Sequence, residues 1–403
     1  MLTDEKLSMF DKMKRADFRA AFMEYKNIRL DNEEIRQQTE EYVMSEKCVE
    51  DINRLQAGDY YFSIPIRRMI PKNNSNKKRI IYRFSEDETA LMRLMAYALQ
   101  GMDDLFSNGL FSFRRGVSAK DYFRIRKANP LIKDCYAIKA DIKSYGNSLN
   151  IEILTGKIRS IFENDPAVRD FFTWLLNRRV FIDKGELVYG DTAGLPGCPI
   201  HNFFTNIYLS EIDEYFFDKS ISYARYSDDI LIYVDSEKRA NEDFEIISNM
   251  IGDLKLSFNE AKTRICKVNE PIEFLGMELN GDEIDIAPTS IRKLKRRMRM
   301  RAKKIDKQKR QQGMSPEEAG RQLIAMNMHS FFGKDEESRM SWKRWAFPVI
   351  TKTDGLQTLD LYNQYCIRYV MTGKWSKAQY RVKYQKLKEL GYRSLVRAYY
   401  EKE

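Results

Sequence analysis

Two adjacent aspartates, Asp228 and Asp229, lie between short apolar runs in the stretch Tyr223–Tyr233. These runs are rich in aromatic and β-branched residues, which predicts a β-hairpin with both carboxylates at its tip. Because Asp favours turns, the pair alone does not indicate a site. A third aspartate, Asp141, directly follows another β-prone run, Ala137–Ala140. Two strands that bring carboxylates together supply what a two-metal phosphoryl-transfer site needs.

The composition indicates a reducing compartment and a hard metal ion. The 403 residues predict two or three domains, or one core with an appendage. The 5 cysteines are scattered without a CxxC pattern, and the 2 histidines are far apart, which argues against zinc and for oxygen ligands. The polar N-terminus and the lack of a long apolar stretch favour a cytoplasmic protein without a membrane partner.

Positive charge is concentrated near the start of the C-terminal third. Between Ile291 and Arg310 there are twelve Lys and Arg residues and only one acidic residue, Asp306. Such a surplus suits a polyanion, and nucleic acid is the expected partner. The alternatives are a solvated basic helix or a helix on an anionic membrane, but no apolar face of membrane type accompanies the charge.

The N-terminal segment, residues 1–59, is predicted to be helical. Its apolar residues recur at helical spacing through Phe18, Phe22 and Tyr25, and Asp31 is a candidate N-cap for the next helix. No residue pattern here indicates chemistry, so we expect a packing or subunit-contact extension.

A basic hairpin is predicted next, from the runs Tyr60–Ile70 and Lys78–Phe84 with a polar loop between them. Lys78 and Arg79 on its second strand are candidates for holding a triphosphate. Exposed charge that only maintains solubility is the alternative.

Helices are predicted over Asp87–Leu99 and Lys120–Lys127. Between them, Phe111–Ser118 combines aromatic residues with Arg114 and Arg115, a pattern typical of platforms for bases or phosphates. Packing of the two phenylalanines in a core is the alternative.

A helix is predicted over Ile151–Phe162, and an apolar run, Phe171–Leu176, follows it. Next comes a glycine-rich turn, Gly190–Ile200, which leads into a further predicted helix, His201–Phe216. Backbone without side chains can lie against a nucleobase or a template strand. The turn is not a P-loop, because no Gly-Lys-Ser/Thr follows it.

A helix is predicted over Asn241–Leu254, followed by the stretch Leu256–Cys266 and the apolar segment Glu273–Leu279. Taken in chain order, the predicted strands and helices resemble a split βαβ sheet, so the fold class is predicted to be α+β. The stretch Ile291–Glu403 is predicted to be largely helical, with breaks near Gly313, Gly333, Pro348 and Gly355.

Several motifs in chain order resemble the palm of a reverse transcriptase. They are Asp141-Ile-Lys, Gly194-Leu-Pro-Gly-Cys-Pro-Ile200 with Asn206, Tyr226-Ser-Asp-Asp229, Lys262-Thr and Phe274-Leu-Gly276. Upstream, Lys78-Arg-Ile-Ile and Phe111–Ser118 resemble the fingers of bacterial reverse transcriptases. The tail Lys386–Tyr400 is similar to the C-termini of the abortive-infection and defence-associated branch.

The resemblance implies a right-hand polymerase with fingers, a split-βαβ palm, and a helical thumb with C-terminal helices. The implied divisions are an N-terminal extension at 1–59, fingers at 60–135, a palm with a fingers contribution at 136–285, and a thumb with C-terminal helices at 286–403. It implies DNA synthesis on an RNA template from deoxynucleoside triphosphates, with Mg²⁺, or Mn²⁺ in its place, as the cofactor.

Residue roles follow from the same resemblance. Asp141 and Asp228 would hold both metals with Asp229 as a weaker third ligand, and Ile142 would lie beside the metal and the nucleotide. Alternation along a strand also favours Asp228 over Asp229, because adjacent side chains point to opposite sides. Lys262 would protonate the pyrophosphate leaving group, or is only a surface lysine.

The remaining candidates fall into two groups. The implied nucleotide-binding residues are Lys78, Arg79, Ile142, Tyr145, Gly146, Gly197 and His201. The implied nucleic-acid-binding residues are Arg114, Arg115, Phe274, Leu275, Gly276, Arg292, Lys295, Arg296 and Arg299.

Two departures from the family pattern affect nucleotide selection. Gly146 occupies the position where the family has an aromatic steric gate against a ribose 2′-hydroxyl, so Tyr145 or another residue takes that role, or ribonucleotides are accepted. In the glycine-rich turn, Pro196 adjoins Gly197 directly, whereas the family usually has a Gln or a similar residue between them, and His201 stands where a serine is usual. His201 contacts a base or the template, or it caps the helix.

The predicted function is RNA-directed DNA synthesis in bacterial antiphage defence. The predicted partners are a dedicated noncoding RNA as template, the DNA product, a dNTP, and a second polymerase subunit or another copy of the chain. A template-independent or protein-primed nucleotidyltransferase would use the same residues. A polymerase-like subunit that binds nucleic acid without catalysis is the third alternative.

Overall fold

Two compact units, each assembled from two segments of the chain, make up the protein. The computed structural model describes residues 7–27, 32–59, 61–71, 78–333 and 341–401. Unit 1 comprises Met1–Ser118 and Ile138–Ile265, and unit 2 comprises Ala119–Ala137 and Cys266–Glu403. The predicted α+β class is confirmed, whereas the predicted division into extension, fingers, palm and thumb stays a prediction.

Unit 1 begins with helices, as the apolar spacing predicts. They are α1 (Met9–Lys14), α2 (Ala16–Asn27), α3 (Glu33–Val43), α4 (Glu46–Ala57) and α5 (Glu86–Leu99). Asn32 caps α3 through its side chain, and Asp31, the predicted cap, lies outside the described residues. Ser85 and Glu88 form a reciprocal capping box at the start of α5, which satisfies two backbone N–H groups that helix geometry leaves without partners.

A four-stranded sheet contains the predicted basic hairpin and a second hairpin that the sequence reading missed. Its strands are β1 (Ile66–Pro71), β2 (Lys78–Arg83), β4 (Val180–Asp183) and β5 (Glu186–Tyr189), in the order β2-β1-β4-β5. Lys184 and Gly185 make a two-residue turn with φ of 53° and 92°, the conformation that favours a tight hairpin. Tyr60 and residues 72–77 of the predicted hairpin lie outside the described residues.

A second four-stranded sheet carries all three aspartates. Its strands are β3 (Tyr136–Asp141), β6 (Ser222–Tyr226), β7 (Asp229–Val234) and β8 (Arg264–Cys266), in the order β6-β7-β3-β8. β3 is therefore flanked on one side by the β6–β7 hairpin and on the other by β8, as the predicted split βαβ arrangement requires.

The helices that connect these strands differ from the prediction in two places. They are α7 (Ile151–Ile161), α8 (Pro166–Asn177), α9 (His201–Tyr208), α10 (Ser210–Lys219) and α11 (Glu237–Asp253). The apolar run Phe171–Leu176 lies inside α8, where it forms the buried face rather than a separate element. The single helix predicted over His201–Phe216 is interrupted at Leu209, so α9 and α10 follow one another.

Unit 2 is mainly helical, as predicted for the C-terminal third. Its elements are α6 (Ala119–Ala128), β9 (Ile272–Phe274), β10 (Met277–Asn280), β11 (Glu283–Ile286), α12 (Pro288–Gln312), α13 (Pro316–Phe332), α14 (Trp342–Ala346), α15 (Asp354–Thr372), α16 (Tyr384–Glu389) and α17 (Leu395–Tyr400). Gly313 ends α12 in the left-handed conformation with φ of 65°. The predicted breaks near Pro348 and Gly355 correspond to the segment between α14 and α15, and Gly355 itself lies in the first turn of α15, where its N–H donates to Asp285 Oδ2 at 2.9 Å.

None of the helices in the described ranges has an apolar stretch of the length that a bilayer crossing requires. The cysteines Cys48, Cys135, Cys198, Cys266 and Cys366 are all buried free thiols.

Candidate active site

The β6–β7 hairpin holds the adjacent aspartates at its turn. Tyr226 and Asp229 are the last cross-strand pair, and Ser227 with Asp228 forms the two-residue turn between them. Ser227 has φ of 60°, and its N–H donates to Ser112 Oγ at 2.9 Å. The predicted hairpin is confirmed, with Asp228 in the turn and Asp229 as the first residue of β7.

Because of this placement, strand alternation no longer favours Asp228 over Asp229 as the metal ligand that faces Asp141. Alternation along a strand would separate Asp228 from Asp229 only if both were strand residues. Because Asp228 is a turn residue, alternation does not decide which of them points toward Asp141. The preference for Asp228 therefore stays a prediction from the family resemblance.

Backbone pairing brings the end of β3 to the hairpin turn. The N–H of Ile142 donates to the carbonyl oxygen of Asp228 at 3.1 Å, so the segments that carry Asp141 and Asp228 are directly joined. On its other side, Asp141 is joined to the stretch before β8, because its carbonyl oxygen accepts from Asn259 N–H at 2.7 Å and its own N–H donates to Thr263 Oγ1 at 3.1 Å. Asp141 and Asp228 thus come from separate elements to one place, as the sequence predicts.

The Asp141 carboxylate has two side-chain partners although only 4% of the residue is exposed. Lys262 Nζ lies 2.6 Å from Oδ2, and Asn259 Nδ2 donates to Oδ1 at 3.0 Å. Burial alone would lower the pKa of Lys262, but the bond to Asp141 and the negative charges of Asp141, Asp229 and Asp228 together outweigh it and raise that pKa. Asn259 was missed in the sequence, where an Asn-Glu pair in a polar loop gives no signal of its own.

Asp229 lies in a pocket of negative charge. Burial raises the pKa of Asp229 to about 6, and the neighbouring carboxylates of Asp228 and Asp141 add to this shift. Lys139 opposes it from 4.0 Å away. Neighbouring like charges favour the binding of a cation, which would relieve their mutual repulsion.

The carboxylates fit a metal that shares its coordination with a substrate. No three His, Cys, Asp or Glu side chains in the described ranges converge closely enough to enclose a metal ion. Mg²⁺ does not need such a cage, because it usually binds one or two carboxylates and takes its remaining ligands from water and phosphate oxygens. Asp141 and Asp228 are therefore suitable ligands, with Asp229 as the third acid nearby.

A fully buried ion pair, Arg225 with Asp213, links the β6–β7 hairpin to α10. Arg225 of β6 makes a two-pronged contact with Asp213 of α10, with Nε–Oδ1 at 2.6 Å and Nη2–Oδ2 at 2.5 Å. Arg225 also donates to the carbonyl oxygens of Asn206 and Ser227 at 3.0 and 3.3 Å, and the Tyr223 hydroxyl donates to Asp213 at 2.6 Å. Burial would lower the pKa of Arg225, but Asp213 outweighs it and raises that pKa. The sequence reading missed this pair; its only signal is an arginine inside an otherwise apolar strand.

Replacing Asp213 should destabilise the protein strongly. In Asp213→Asn the Arg225 guanidinium stays buried without a counter-charge, so we expect a loss of about 3 kcal/mol in the free energy of unfolding. Urea denaturation followed by circular dichroism measures the change. The matched control is Glu242→Gln, which removes the exposed ion pair with Lys238 and should change stability by less than about 0.5 kcal/mol. Equal stability of Asp213→Asn and the control would contradict this role.

The glycine-rich turn packs against β2. Pro196 accepts a hydrogen bond from Tyr82 N–H at 2.7 Å, and a Cβ on Gly197 would lie only 2.7 Å from Ile81 Cβ. Gly197 also has φ of 91°, so the approach needs glycine for both reasons. Lys78 and Arg79 are exposed on the same strand, which leaves their side chains available to a ligand.

His201 is the first residue of α9 and is 7% exposed. Its Nδ1 lies 2.7 Å from the carbonyl oxygen of Gly194, and the N-cap position of α9 is occupied by Ile200, so the predicted capping alternative is wrong. Burial lowers the pKa of His201 to about 4, and the charge of Arg79 acts in the same direction. The ring is therefore neutral at neutral pH.

Tyr145 does not replace the missing aromatic gate. It is 2% exposed, and its hydroxyl donates to the carbonyl oxygen of Thr205, so the side chain belongs to the core. A Cβ on Gly146 would lie 3.1 Å from Nε2 of His201. A larger residue at 146 would therefore crowd the histidine ring.

The predicted nucleic-acid contacts in unit 1 divide into buried and accessible residues. Arg114 is buried and makes paired bonds of 2.7 Å to Asp103, so its guanidinium is used inside the fold. Arg115 is exposed and lies 4.0 Å from the centre of the Tyr97 ring. Phe111 is buried in the core, as the packing alternative predicts, whereas Phe113 is 38% exposed with φ of 58°.

The predicted contacts in unit 2 divide in the same way. Phe274 is 1% exposed and packs against Tyr122 with ring centres 5.2 Å apart. Leu275 and Gly276 form the turn between β9 and β10, with φ of 51° and 81°. On α12 the cations Arg292, Arg296 and Arg299 are exposed and Lys295 is half-buried. The apolar face of α12 is buried through residues such as Leu294 and Met298, so its other face is a strip of positive charge.

Comparison with known sequences identifies the family. The profile of the reverse transcriptase (RNA-dependent DNA polymerase) family matches residues 70–279, which is more than half of the 403 residues. The chain belongs to the reverse transcriptase family. The matched part of this reverse transcriptase contains β3, the β6–β7 hairpin and their three aspartates, and it is an RNA-directed DNA polymerase domain. Protein YkfC of Escherichia coli strain K12 is 24% identical over 264 residues, covering 55% of this chain and 68% of YkfC.

Two telomerases are among the solved structures similar to this reverse transcriptase. Apo telomerase from Candida tropicalis gives a TM-score of 0.49 at 12% identity, covering 82% of this chain and 59% of that one. Telomerase from Candida albicans in complex with a fragment of telomeric RNA gives a TM-score of 0.42 at 12% identity, covering 81% and 63%. This chain therefore covers less than two thirds of either telomerase.

Proposed function

We propose that the protein synthesises DNA on a dedicated noncoding RNA template, using two Mg²⁺ ions, as part of a bacterial antiphage defence system. The observation that carries the catalytic part is the hydrogen bond of Ile142 to Asp228, which joins the Asp141 and Asp228 segments in a family of RNA-directed DNA polymerases. The defence role rests on the resemblance of Lys386–Tyr400 to defence-associated enzymes.

Asp141 and Asp228 would hold the ions, with Asp229 beside them. When bound, the ions supply activation of the primer 3′-hydroxyl and charge stabilisation on the triphosphate. Mn²⁺ would be accepted in their place, since the ligands are oxygen atoms. Asn259 orients the Asp141 carboxylate through its bond to Oδ1.

Lys262 is suited to the role of proton donor. It is 57% exposed, so it can reach a ligand, and its raised pKa keeps the ammonium protonated. Its bond to Asp141 Oδ2 holds it beside the acids, from where it would give a proton to the departing pyrophosphate. Lys78 and Arg79 on β2 would contact the triphosphate as exposed cations.

Nucleic acid would lie along the basic face of α12 in unit 2. The exposed cations there suit a phosphate backbone, and binding should weaken steeply as salt concentration rises. Leu275 and Gly276 at the β9–β10 turn would contact the primer strand. A second polymerase subunit or another copy of the chain is a further proposed partner.

Removing either metal-binding carboxylate should abolish synthesis. For Asp141→Asn and Asp228→Asn we expect nucleotide incorporation to fall by about a thousandfold or more, because a neutral amide does not hold the metal. Incorporation of labelled dNTPs is measured alongside RNA binding by filter retention, which should persist. The matched control is Asp235→Asn, an exposed acid just after β7, which should retain activity. Undiminished synthesis by Asp228→Asn would contradict the assigned site, and a wild-type protein that binds RNA without synthesis would favour the non-catalytic alternative.

Relaxed rejection of ribonucleotides is expected, because Gly146 has no side chain to exclude a 2′-hydroxyl. Single-nucleotide incorporation of ATP and dATP by the wild-type protein measures the discrimination. We expect dATP to be preferred by much less than about a thousandfold. A preference above that level would show that another group excludes the ribose.

The product should be specialised, repetitive or dependent on one RNA, because the departures at Gly146 and Gly194–His201 fall where nucleotide and template are read. Sequencing the bound RNA and the DNA made with and without it measures this. Products that complement any supplied template would contradict the specialised product. Products unrelated to all RNA present would favour the template-independent or protein-primed alternative, for which Tyr400, 68% exposed, is an accessible hydroxyl.

A further inference from the structure

A cavity of about 390 Å³ lies between three helices of unit 2, α12, α13 and α14. Its volume is within the range of pockets that hold small molecules in proteins. The charged and aromatic side chains in its wall are Arg297, Arg301, His329, Phe331 and Trp342. No acidic residue of the described ranges is among its lining residues, so the wall combines positive charge with aromatic surface.

The two arginines of this cavity are separate from the basic strip of α12. Arg297 and Arg301 are four residues apart in one helix, so they lie on the same side of it. At 3.6 residues per turn, this side is turned by roughly 150° from the mean direction of Arg292, Arg296 and Arg299. The basic strip and the cavity are therefore two different surfaces of one helix.

Neither arginine has an acidic partner in the part of the chain that the structure describes. Nη1 of Arg301 donates to the carbonyl oxygen of Met326 at 3.0 Å and to Asn327 Oδ1 at 3.1 Å, and both acceptors are neutral. Burial lowers the pKa of Arg301, and the positive charge of Arg297 acts in the same direction. Because a guanidinium stays protonated in proteins, the cavity holds two positive charges that repel each other. An anion would relieve this repulsion, and the forked donors of arginine suit a phosphate group.

Buried amides hold Arg301 in position before any ligand binds. Asn327 of α13 and Asn363 of α15 are both 0% exposed. Asn327 Nδ2 donates to Asn363 Oδ1 at 2.8 Å, while its own Oδ1 accepts from Arg301. This chain of bonds links α12, α13 and α15, so little side-chain freedom of Arg301 remains to be lost on binding.

The aromatic part of the wall is available for stacking. Trp342 of α14 is half-buried, and among the described residues its indole ring has no aromatic or cationic partner. Trp345, one turn further along, instead packs edge-on against Phe123 with ring centres 6.1 Å apart. Flat aromatic faces bind nucleobases of any type. Trp342 is therefore the ring in this cavity that a planar ligand would contact.

We propose that this cavity binds a single nucleotide, with its phosphate on Arg297 and Arg301 and its base against Trp342. Phosphate alone would leave the aromatic wall unused, and a neutral ring would leave both arginines without a counter-charge. The nucleotide is free or is an unpaired residue of an RNA strand, since both carry the same two groups. The inference does not depend on the proposed reaction, because the cavity belongs to unit 2 and the three aspartates belong to unit 1.

Isothermal titration of the wild-type protein in EDTA tests the ligand class. EDTA removes the divalent ions on which the proposed triphosphate site depends, so that site does not contribute. We expect AMP to bind at least tenfold more tightly than adenosine or inorganic phosphate, because only AMP carries both a base and a phosphate. Inorganic phosphate or adenosine that binds as tightly as AMP would overturn the proposal.

Arg297→Gln and Trp342→Ala test the two halves of the cavity. Each should weaken AMP binding by about tenfold, and Trp342→Phe should recover part of the loss because it keeps an aromatic face. The matched control is Lys303→Gln, which removes an exposed cation of α12 outside the cavity wall and should leave AMP binding unchanged. Arg297 is exposed, so its variant should fold normally, as circular dichroism would verify. Unchanged AMP binding in Arg297→Gln, or an equal loss in Lys303→Gln, would overturn the proposal.

A tetraadenylate RNA distinguishes the two sources of the nucleotide. Since RNA also binds other basic surfaces, the informative quantity is its loss of affinity in Arg297→Gln relative to Lys303→Gln. A loss of about tenfold specific to Arg297→Gln identifies an unpaired RNA residue as the occupant. An equal effect of both variants on the strand, with AMP binding still weakened by Arg297→Gln, identifies a free nucleotide. If neither AMP nor the strand shows a loss specific to Arg297→Gln, the cavity is not a nucleotide site.

Discussion

The buried pair of Arg225 and Asp213 is the constraint on which the arrangement of the active site depends. Its bonds link β6 to α10, to the carbonyl of Asn206 at the end of α9, and to the carbonyl of Ser227 in the hairpin turn. A charge buried this deeply is stable only with a counter-charge and full hydrogen bonding, so the pair permits one arrangement of these elements. The turn that carries Asp228 is positioned by that requirement.

The negative charge of the acids is only partly balanced by Lys262 and Lys139. Asp141 is joined to Lys262 and Asn259, and Asp229 has a raised pKa because burial and two neighbouring carboxylates disfavour its ionised form. A divalent cation bound to this group would compete with Lys262 for Asp141. Lys262 would remain beside the acids that hold the metal, which connects the electrostatics of the site with the proposed proton donor.

Around these acids, the residues that are proposed to select the nucleotide depart from the family pattern. Gly146 and His201 come from separate elements and occupy one space, while Gly197 lets the glycine-rich turn approach β2 closely. A larger residue at 146 would crowd the histidine ring, so the two departures at Gly146 and His201 are in contact with each other.

The sequence alone predicted most of the elements and supplied the candidate catalytic acids. Alternation and turn signals predicted the β6–β7 hairpin, and helical spacing predicted α5 and α7, since these signals are local. Local patterns cannot show which side chains meet, so the Arg225–Asp213 pair, the contacts of Asn259 and the burial of Arg114 were decided by tertiary packing. The placement of Asp228 in the turn was also decided there, because hairpin register depends on cross-strand pairing. For the same reason the sequence revealed an unusual Gly146 and an unusual His201, whereas only the tertiary structure showed that they face each other.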